Sequence, residues 1–355
     1  MNTSSLTSMQ RVLTTLGQNE PDRVPLFLLL TMHGAKETGV SIQEYFSKSE
    51  NVVEGQLRLR AKYQHDCYYN FFYASLEIDA FGGETVFIED GPPNAGEPII
   101  KHPEDILNLE APKVKDSSGL QKVLTAHRAL KASAGQEVPI IGVVMSPFSL
   151  PVMQLGFENY LNLMFERPDL FEQLMKINEA FCVEWANAQL EAGATAICYF
   201  DPMSSSSIIT PDQYRNTGFL VAQRTLKAIQ GPTATHFASG RCLPIIEDIT
   251  KTGTSIVGVS TNEDLNLLKS AVNQQLTLLG NLDGISMRRW TEVEAVTAVK
   301  TAIVGGARGG GFILSDNHGE IPYQVPDETL LVISEAARKW GTYPLKWIED
   351  ECPET

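Results

Sequence analysis

Residues 233–260 read TATHFASGRCLPIIEDITKTGTSIVGVS. The stretch opens on a strand-like run, TATHFA at 233–238, and turns at Ser239-Gly240. A helical segment follows from Pro244 to Thr252, and after a second turn at Gly253 comes another apolar run, SIVGVS at 255–260. Neither run alternates strictly with polar residues, which is the pattern of strands covered on both faces. Strand, crossover helix and strand in this order predict a βαβ unit with parallel strands.

The same alternation extends in both directions. Earlier strand-like runs are RVPLFLLL at 23–30, CYYNFFYA at 67–74, PIIGVVM at 139–145 and ATAICYF at 194–200; later ones are LTLLGN at 276–281 and GFILS at 311–315. Helical stretches are expected over 169–191, 211–229, 244–252, 262–273, 290–304 and 327–339. In the first of these, Leu170, Leu174, Ile177, Phe181 and Trp185 recur at helical spacing. Eight such units predict an α/β protein built as a (β/α)8 TIM barrel, residues 1–355 forming a single barrel domain. The surplus length is expected as an extra N-terminal helix over 4–16 and an insertion between strands two and three, where ETVFIE at 84–89 precedes the turn-rich DGPPN. An open doubly wound sheet is the competitor, but no Gly-x-Gly-x-x-Gly follows the first strand, and the glycines at 305–306 and 309–311 precede a strand.

Composition narrows the function. The 355 residues carry 28 Lys+Arg against 43 Asp+Glu, a formal net charge of −15. Nucleic acid is excluded as a partner, because backbone binding needs clustered cations, and so is an anionic membrane surface. The start MNTSS is not a signal peptide, and the longest early apolar run, Val24 to Leu30, is far short of the ~20 residues of a span. The cysteines at 67, 182, 198, 242 and 351 form no C-x-x-C pair. Free thiols in a reducing cytoplasm are the expectation.

Catalytic groups of a barrel sit at the C-terminal ends of its strands. Those ends bring Thr31, Met32 and His33, then Ser146, Asp201, His236, Ser260, Asn281 and Asp283, and finally Asp316, Asn317 and His318. Asp201, His236 and His318 are the expected catalytic cluster, able to hold a metal or move a proton. Met32, His33, Tyr199, Asn281 and Asn317 are expected to touch substrate. Tyr69, Phe72, Tyr73, Met145 and Tyr199 promise an aromatic, rather apolar cavity or, equally, barrel core. If a metal binds, His236 and His318 would hold it with Cys242, six residues from His236, as third ligand; otherwise Cys242 caps the helix near Pro244.

Several short matches, in order, resemble the uroporphyrinogen decarboxylase superfamily: DCYYNFFYASLEIDAFGG at 66–83, Asp201-Pro202 with ITPDQY at 209–214, His236, GNLD at 280–283, and LSDNHGEIP at 314–322. The resemblance implies a (β/α)8 barrel and one of two activities, decarboxylation of uroporphyrinogen or cobamide-dependent methyl transfer. True decarboxylases of this family bind many carboxylates through an Arg-rich segment after the first strand. Here that segment is LTMHGAK at 30–36, without Arg, and buried carboxylates without paired guanidiniums are costly.

The methyltransferase branch is therefore the one the sequence resembles. It implies a methyl group passed between a small methylated substrate (ether, amine or thioether) and the cobalt of a separate corrinoid protein, in the demethylating direction, so that methylcobalamin or cob(I)alamin comes with the partner. No Asp-x-His-x-x-Gly stretch for a lower cobalt ligand is present in this chain. The branch also implies zinc, held by His-x-Cys on strand five and a Cys after strand eight. This sequence has His236 but Ala238 in place of the first Cys and His318 in place of the second. That makes a harder site with less thiolate character, or a metal-free one in which His236, Asp201 and His318 serve as acid, base and donors. Phe148, Met153 and Phe157 are candidates for an apolar rim for the partner, with helix core as the commoner role of such residues. A decarboxylase acting on a smaller acid and a non-catalytic tetrapyrrole-binding barrel are the alternatives, and whether the chain pairs as a homodimer is open.

Overall fold

The computed structural model describes residues 5–351. Nine strands form in chain order: β1 (Tyr68–Tyr69), β2 (Thr85–Val86), β3 (Asn94–Ala95), β4 (Ile140–Met145), β5 (Ala196–Phe200), β6 (Thr233–His236), β7 (Ile256–Gly258), β8 (Thr277–Leu282) and β9 (Phe312–Asp316). Seven of them make one sheet in the order β1-β4-β5-β6-β7-β8-β9. Every neighbouring pair in that sheet is parallel.

The ring closes through the 23–30 segment. The Phe27 amide donates to Leu314 and the Leu314 amide to Pro25, both at 2.9 Å, while the Asp66 amide donates to Leu26 at 2.7 Å. This run was expected to be a regular strand. It makes only isolated bridges at Arg23 and Leu26, since Pro25 has no amide to give to a continuous ladder. The result is a (β/α)8 barrel with one irregular stave.

Alternation along the staves sorts the core into an inner and an outer layer. Phe27, Leu29, Cys67, Tyr69, Val143, Cys198, Ala234, Ile256, Leu279 and Ile313 form one cluster. Each stave contributes to it, which identifies the barrel interior. The intervening residues, such as Leu26, Leu28, Val144, Tyr199, Val257 and Leu278, pack outward against helices.

Several expected elements are shortened or split. The second stave is regular only at Tyr68–Tyr69 before the chain turns into the helix Ser75–Ala80. The helix expected over 211–229 breaks at Thr217 (φ −133°, ψ −89°) into Pro211–Asn216 and Gly218–Ala228. The 244–252 stretch yields only a 3-10 turn, Leu243–Ile245, and the short helix Ile246–Ile249. The N-terminal helix runs Ser8–Leu16, started by a capping box between Thr7 and Gln10; position 4 of the expected helix lies outside the described residues. In the insertion between the second and third staves, β2 pairs antiparallel with β3 across the DGPPN turn. Among the described residues no helix is long and apolar enough to cross a membrane.

Candidate active site

Register sets the floor of the mouth. Phe200 pairs with His236, His236 with Gly258, Gly258 with Leu279 and Leu279 with Ile313, so these residues share one level near the C-terminal end of the barrel. His236 is fully buried. Its ring stacks on Phe200 at 5.5 Å between centroids and 21° between planes. A Cβ at Gly258 would lie 2.4 Å from His236 Cδ2. Only glycine leaves the imidazole its place.

The tautomer of His236 follows from its partners. The Ala238 amide donates to Nδ1 at 3.1 Å, so the ring proton belongs on Nε2. That nitrogen is buried and has no hydrogen-bond partner among the described residues. Burial, with some repulsion from His318, pushes the imidazole down to about 3, so the ring is neutral at physiological pH and offers one N–H.

The chain after β9 crosses the mouth. The Tyr69 hydroxyl donates to the Gly319 carbonyl at 2.7 Å, the Ile321 amide to Leu29 at 3.0 Å, and the Thr31 hydroxyl to Glu320 Oε1. A Cβ on Gly319 would stand 2.6 Å from the Phe200 ring and 3.2 Å from His236 Cε1, and φ here is +83°. The 316–321 loop thus reaches four staves and covers His236.

Two carboxyl groups ride on that loop. Asp316 is fully buried. Its Oδ2 accepts the amides of His318 and Gly319 at 2.8 and 2.9 Å, whereas Oδ1 has no partner among the described residues. Burial outweighs those amides and raises the acid to about 6. Glu320 is raised to about 7 by burial, the Thr31 hydroxyl pulling it down and the Asp316 charge adding to the rise. Like charges this close ionise one after the other. His318 has its pKa lowered by burial while Asp283 pulls it up, and its Nδ1 is likewise unpartnered.

The expected site residues divide in two. His236 and His318 come together at the mouth, each perturbed by burial, with Asp283 beside His318. The Asn281 side-chain amide, near the end of β8, donates to the Ser260 carbonyl at 3.1 Å, and Asn317 Oδ1, just after β9, accepts the Gly284 amide at 3.3 Å. Asp201 turns elsewhere. Its amide donates to His236 O at 2.8 Å, but its carboxylate accepts the Ser146 and Ser149 hydroxyls at 2.6 and 2.7 Å. Burial raises its pKa against those bonds. Tyr199 and Met32 lie in the outer apolar cluster, Tyr199 because alternation sends it to the helix side of β5 and Met32 because it caps the helix His33–Thr38. His33 is buried against Tyr323, ring centroids 6.0 Å apart. Of the aromatic lining expected, Tyr69 faces the interior, while Phe72 and Met145 pack outward. Of the three apolar rim residues only Phe157 is exposed, at 49%.

Cys242 is engaged by Glu263 rather than grouped with His236 as a metal ligand. Its thiol donates to Glu263 Oε2 at 3.6 Å, and its amide and that of Leu243 donate to the same carboxylate. Glu263 thereby caps the turn at 243–245. Among the described residues no three His, Cys, Asp or Glu side chains are grouped to hold a metal ion. Asp316 Oδ1 is unpartnered too, but it is not grouped with the two imidazoles as the third protein ligand a catalytic zinc takes, so the donor set does not fit that ion. The pairing of Thr31 with Glu320, and the role of Asp316, were not singled out from sequence. Both carboxyls lie within LSDNHGEIP, but nothing in that stretch marks the contact of Glu320 with Thr31, 289 positions earlier.

A family model described as uroporphyrinogen decarboxylase (URO-D) matches residues 7–340. The uroporphyrinogen decarboxylase of Xylella fastidiosa is 26% identical over 352 residues, covering 92% of this chain and 98% of that protein. That of Ralstonia nicotianae is 26% identical over 281 residues, covering 72% and 74%. Among solved structures, a methyltransferase from Methanosarcina mazei superposes with a TM-score of 0.85 at 20% identity, covering 94% of this chain and 99% of that one. At that identity the likeness is one of fold.

Proposed function

The chain belongs to the uroporphyrinogen decarboxylase family, and within it we propose a methyltransferase that takes a methyl group from a small methylated compound and passes it to a corrinoid on a separate protein. The corrinoid cobalt would supply the nucleophile. The observation that supports this reading is the chemistry of the mouth: the Glu320 carboxyl, held by the Thr31 hydroxyl and raised to about 7, still carries a share of its proton near neutral pH beside a neutral imidazole. A substrate with many carboxylates would meet more acid there, and the 30–36 segment brings no guanidinium to receive it.

A methyl group leaves an ether, amine or thioether readily only if the departing atom receives a proton. Glu320, raised to about 7, is able to give one near neutral pH. Thr31 holds its carboxyl in place. His236 does not compete as the acid, because its imidazole takes a second proton only near pH 3. It orients the donor through Nε2–H. The loop carrying Gly319 and Glu320 has to move for substrate to reach that N–H, and on closing it excludes water.

The test is methylation of cob(I)alamin in the presence of purified protein and a panel of methyl ethers, methylamines and thioethers, followed by absorbance. A donor that converts the corrinoid supports the reading. Silence across the panel together with carbon dioxide release from uroporphyrinogen would overturn it in favour of decarboxylation. Metal content of the active protein decides in parallel whether zinc accompanies the reaction.

A further inference from the structure

The opposite end of the barrel carries a second site. Residues that precede staves gather there: Asp22 and Arg23 before the first, Asp66 before β1 and Glu137 before β4. A cavity of about 960 Å3 opens between them, with Arg11, Arg60 and Arg338 also in its wall. Four guanidiniums in one cavity stand out in a chain of net charge −15.

Two of the four are spent on structure. Arg11 binds Asp22 and Asp66 at 2.7 Å, and Arg23 binds Asp66 at 2.7 Å. Asp66 also accepts the Ser8 hydroxyl and the Leu26 amide, so its oxygens have no capacity left for a further cation. Among the described residues the other two guanidiniums pair with no carboxylate. Arg60 lies over the Tyr68 ring, 5.6 Å from its centroid, and among the described residues gives one hydrogen bond, to Ser8 Oγ at 3.1 Å, while its Nε is buried with no hydrogen-bond partner. Arg338 gives one, to the Tyr63 carbonyl at 3.2 Å. The remaining acid of the wall, Glu137, is exposed. Buried guanidinium N–H groups left without an acceptor are costly, and a planar fork with free donors matches phosphate oxygens in pairs.

We propose that Arg60 and Arg338 form an anion site at the foot of the barrel that takes a phosphate group, free or carried by a small phosphomonoester. It lies at the other end of the staves from His236 and is independent of the methyl-transfer reading.

Thermal unfolding of the full chain tests it, with inorganic phosphate and with glycerol phosphate, each against chloride at matched ionic strength. Either phosphate species should raise the melting temperature with a saturable dependence, and the one acting at lower concentration identifies the source. Arg60→Gln and Arg338→Gln should each weaken the apparent Kd about tenfold, with Arg60→Lys retaining part of the response. If neither species exceeds chloride, or if the double Gln variant responds as the wild type does, the site does not exist. Should a Gln variant fail to fold, the wild-type titration and Arg60→Lys still decide.

Discussion

The Tyr69 hydroxyl and the Gly319 carbonyl, 2.7 Å apart, join the second stave to the loop that crosses the mouth. Both groups are buried, so the bond fixes the loop from inside the barrel. Tyr69→Phe removes the donor, leaves the Gly319 carbonyl unpaired, and keeps the ring. We expect a loss of about 1 kcal/mol in unfolding free energy and faster amide exchange confined to 316–321. Unchanged exchange in that loop would show that the neighbouring bonds at Ile321 and Thr31 hold it alone.

His236 depends on a residue of the neighbouring stave that has no chemistry of its own. Gly258 faces the imidazole across the ladder, and an added Cβ would meet Cδ2 at 2.4 Å. Gly258→Ala therefore forces the ring off Phe200 or pushes β7 away. Overpacking of this kind costs about 1–3 kcal/mol, which a barrel of this size survives. The expected result is a folded protein with a lower melting temperature and greatly reduced turnover. Full turnover would mean that the imidazole position is not needed.

Asp201 was read as catalytic from its place at a stave end, and the geometry assigns its carboxylate a different neighbourhood. Two hydroxyls, from Ser146 and Ser149, converge on Oδ1, and the Ser149 hydroxyl in turn accepts the Met203 amide at 3.1 Å. The group staples the loops after β4 and β5 together. Asp201→Ala orphans both hydroxyls in a buried setting, for which about 2–4 kcal/mol of destabilisation is expected. Urea unfolding measures it; a variant as stable as the wild type would return Asp201 to the active-site list.

What the sequence revealed of this site follows from periodicity and its limits. The staves were legible because apolar runs bounded by turns mark buried parallel strands, and the stave ends then named His236 and His318. Side-chain direction was not legible at Tyr199, Met32 and Asp201. A one-residue change in where a run is taken to end moves a residue from the interior to the helix layer. Glu320 was invisible for another reason. Its importance comes from a loop folding back over the mouth onto Thr31, a contact across almost the whole chain that no local pattern encodes. The same holds for Arg60 and Arg338, which line one cavity because the helices that carry them end at the same face.

Stability should peak near pH 6.5. His33, His65 and His236 are pushed down to about 3 and His127 to about 4, chiefly by burial. Unfolded imidazoles take protons at about 6.5, so the stability these groups carry is present above that pH and lost as pH falls from there toward 3. Glu77, Glu320 and Asp316 are raised to about 8, 7 and 6, again chiefly by burial. Their share is present below the unfolded value of about 4 and lost as pH rises through those folded values. Between about 4.5 and 6 four imidazoles outweigh three carboxyls; above about 6.5 only Glu77 and Glu320 still act, and both destabilise. Melting temperatures from pH 4 to 9 should trace this dome, and Glu77→Gln should flatten its alkaline side. A melting temperature still climbing between pH 6.5 and 8 would contradict the burial of these acids.

Glu320 gives the sharpest division between a proton donor and a mere bracket for the loop. Its carboxyl is raised to about 7 and held by Thr31, so a reaction that needs its proton should slow as pH rises through that value. Glu320→Gln keeps the shape and the Thr31 contact but has no proton of that acidity. With a methyl ether as donor, kcat should fall by about 100-fold or more and the alkaline limb of the pH profile should vanish. A methyl sulfonium or methylated pyridinium leaves as a neutral molecule and needs no proton. With that donor the variant should keep nearly wild-type kcat at every pH. An equal loss on both classes of donor would make Glu320 a positioning residue for the loop and place the proton source elsewhere, with Asp316, raised to about 6, as the next carboxyl to replace.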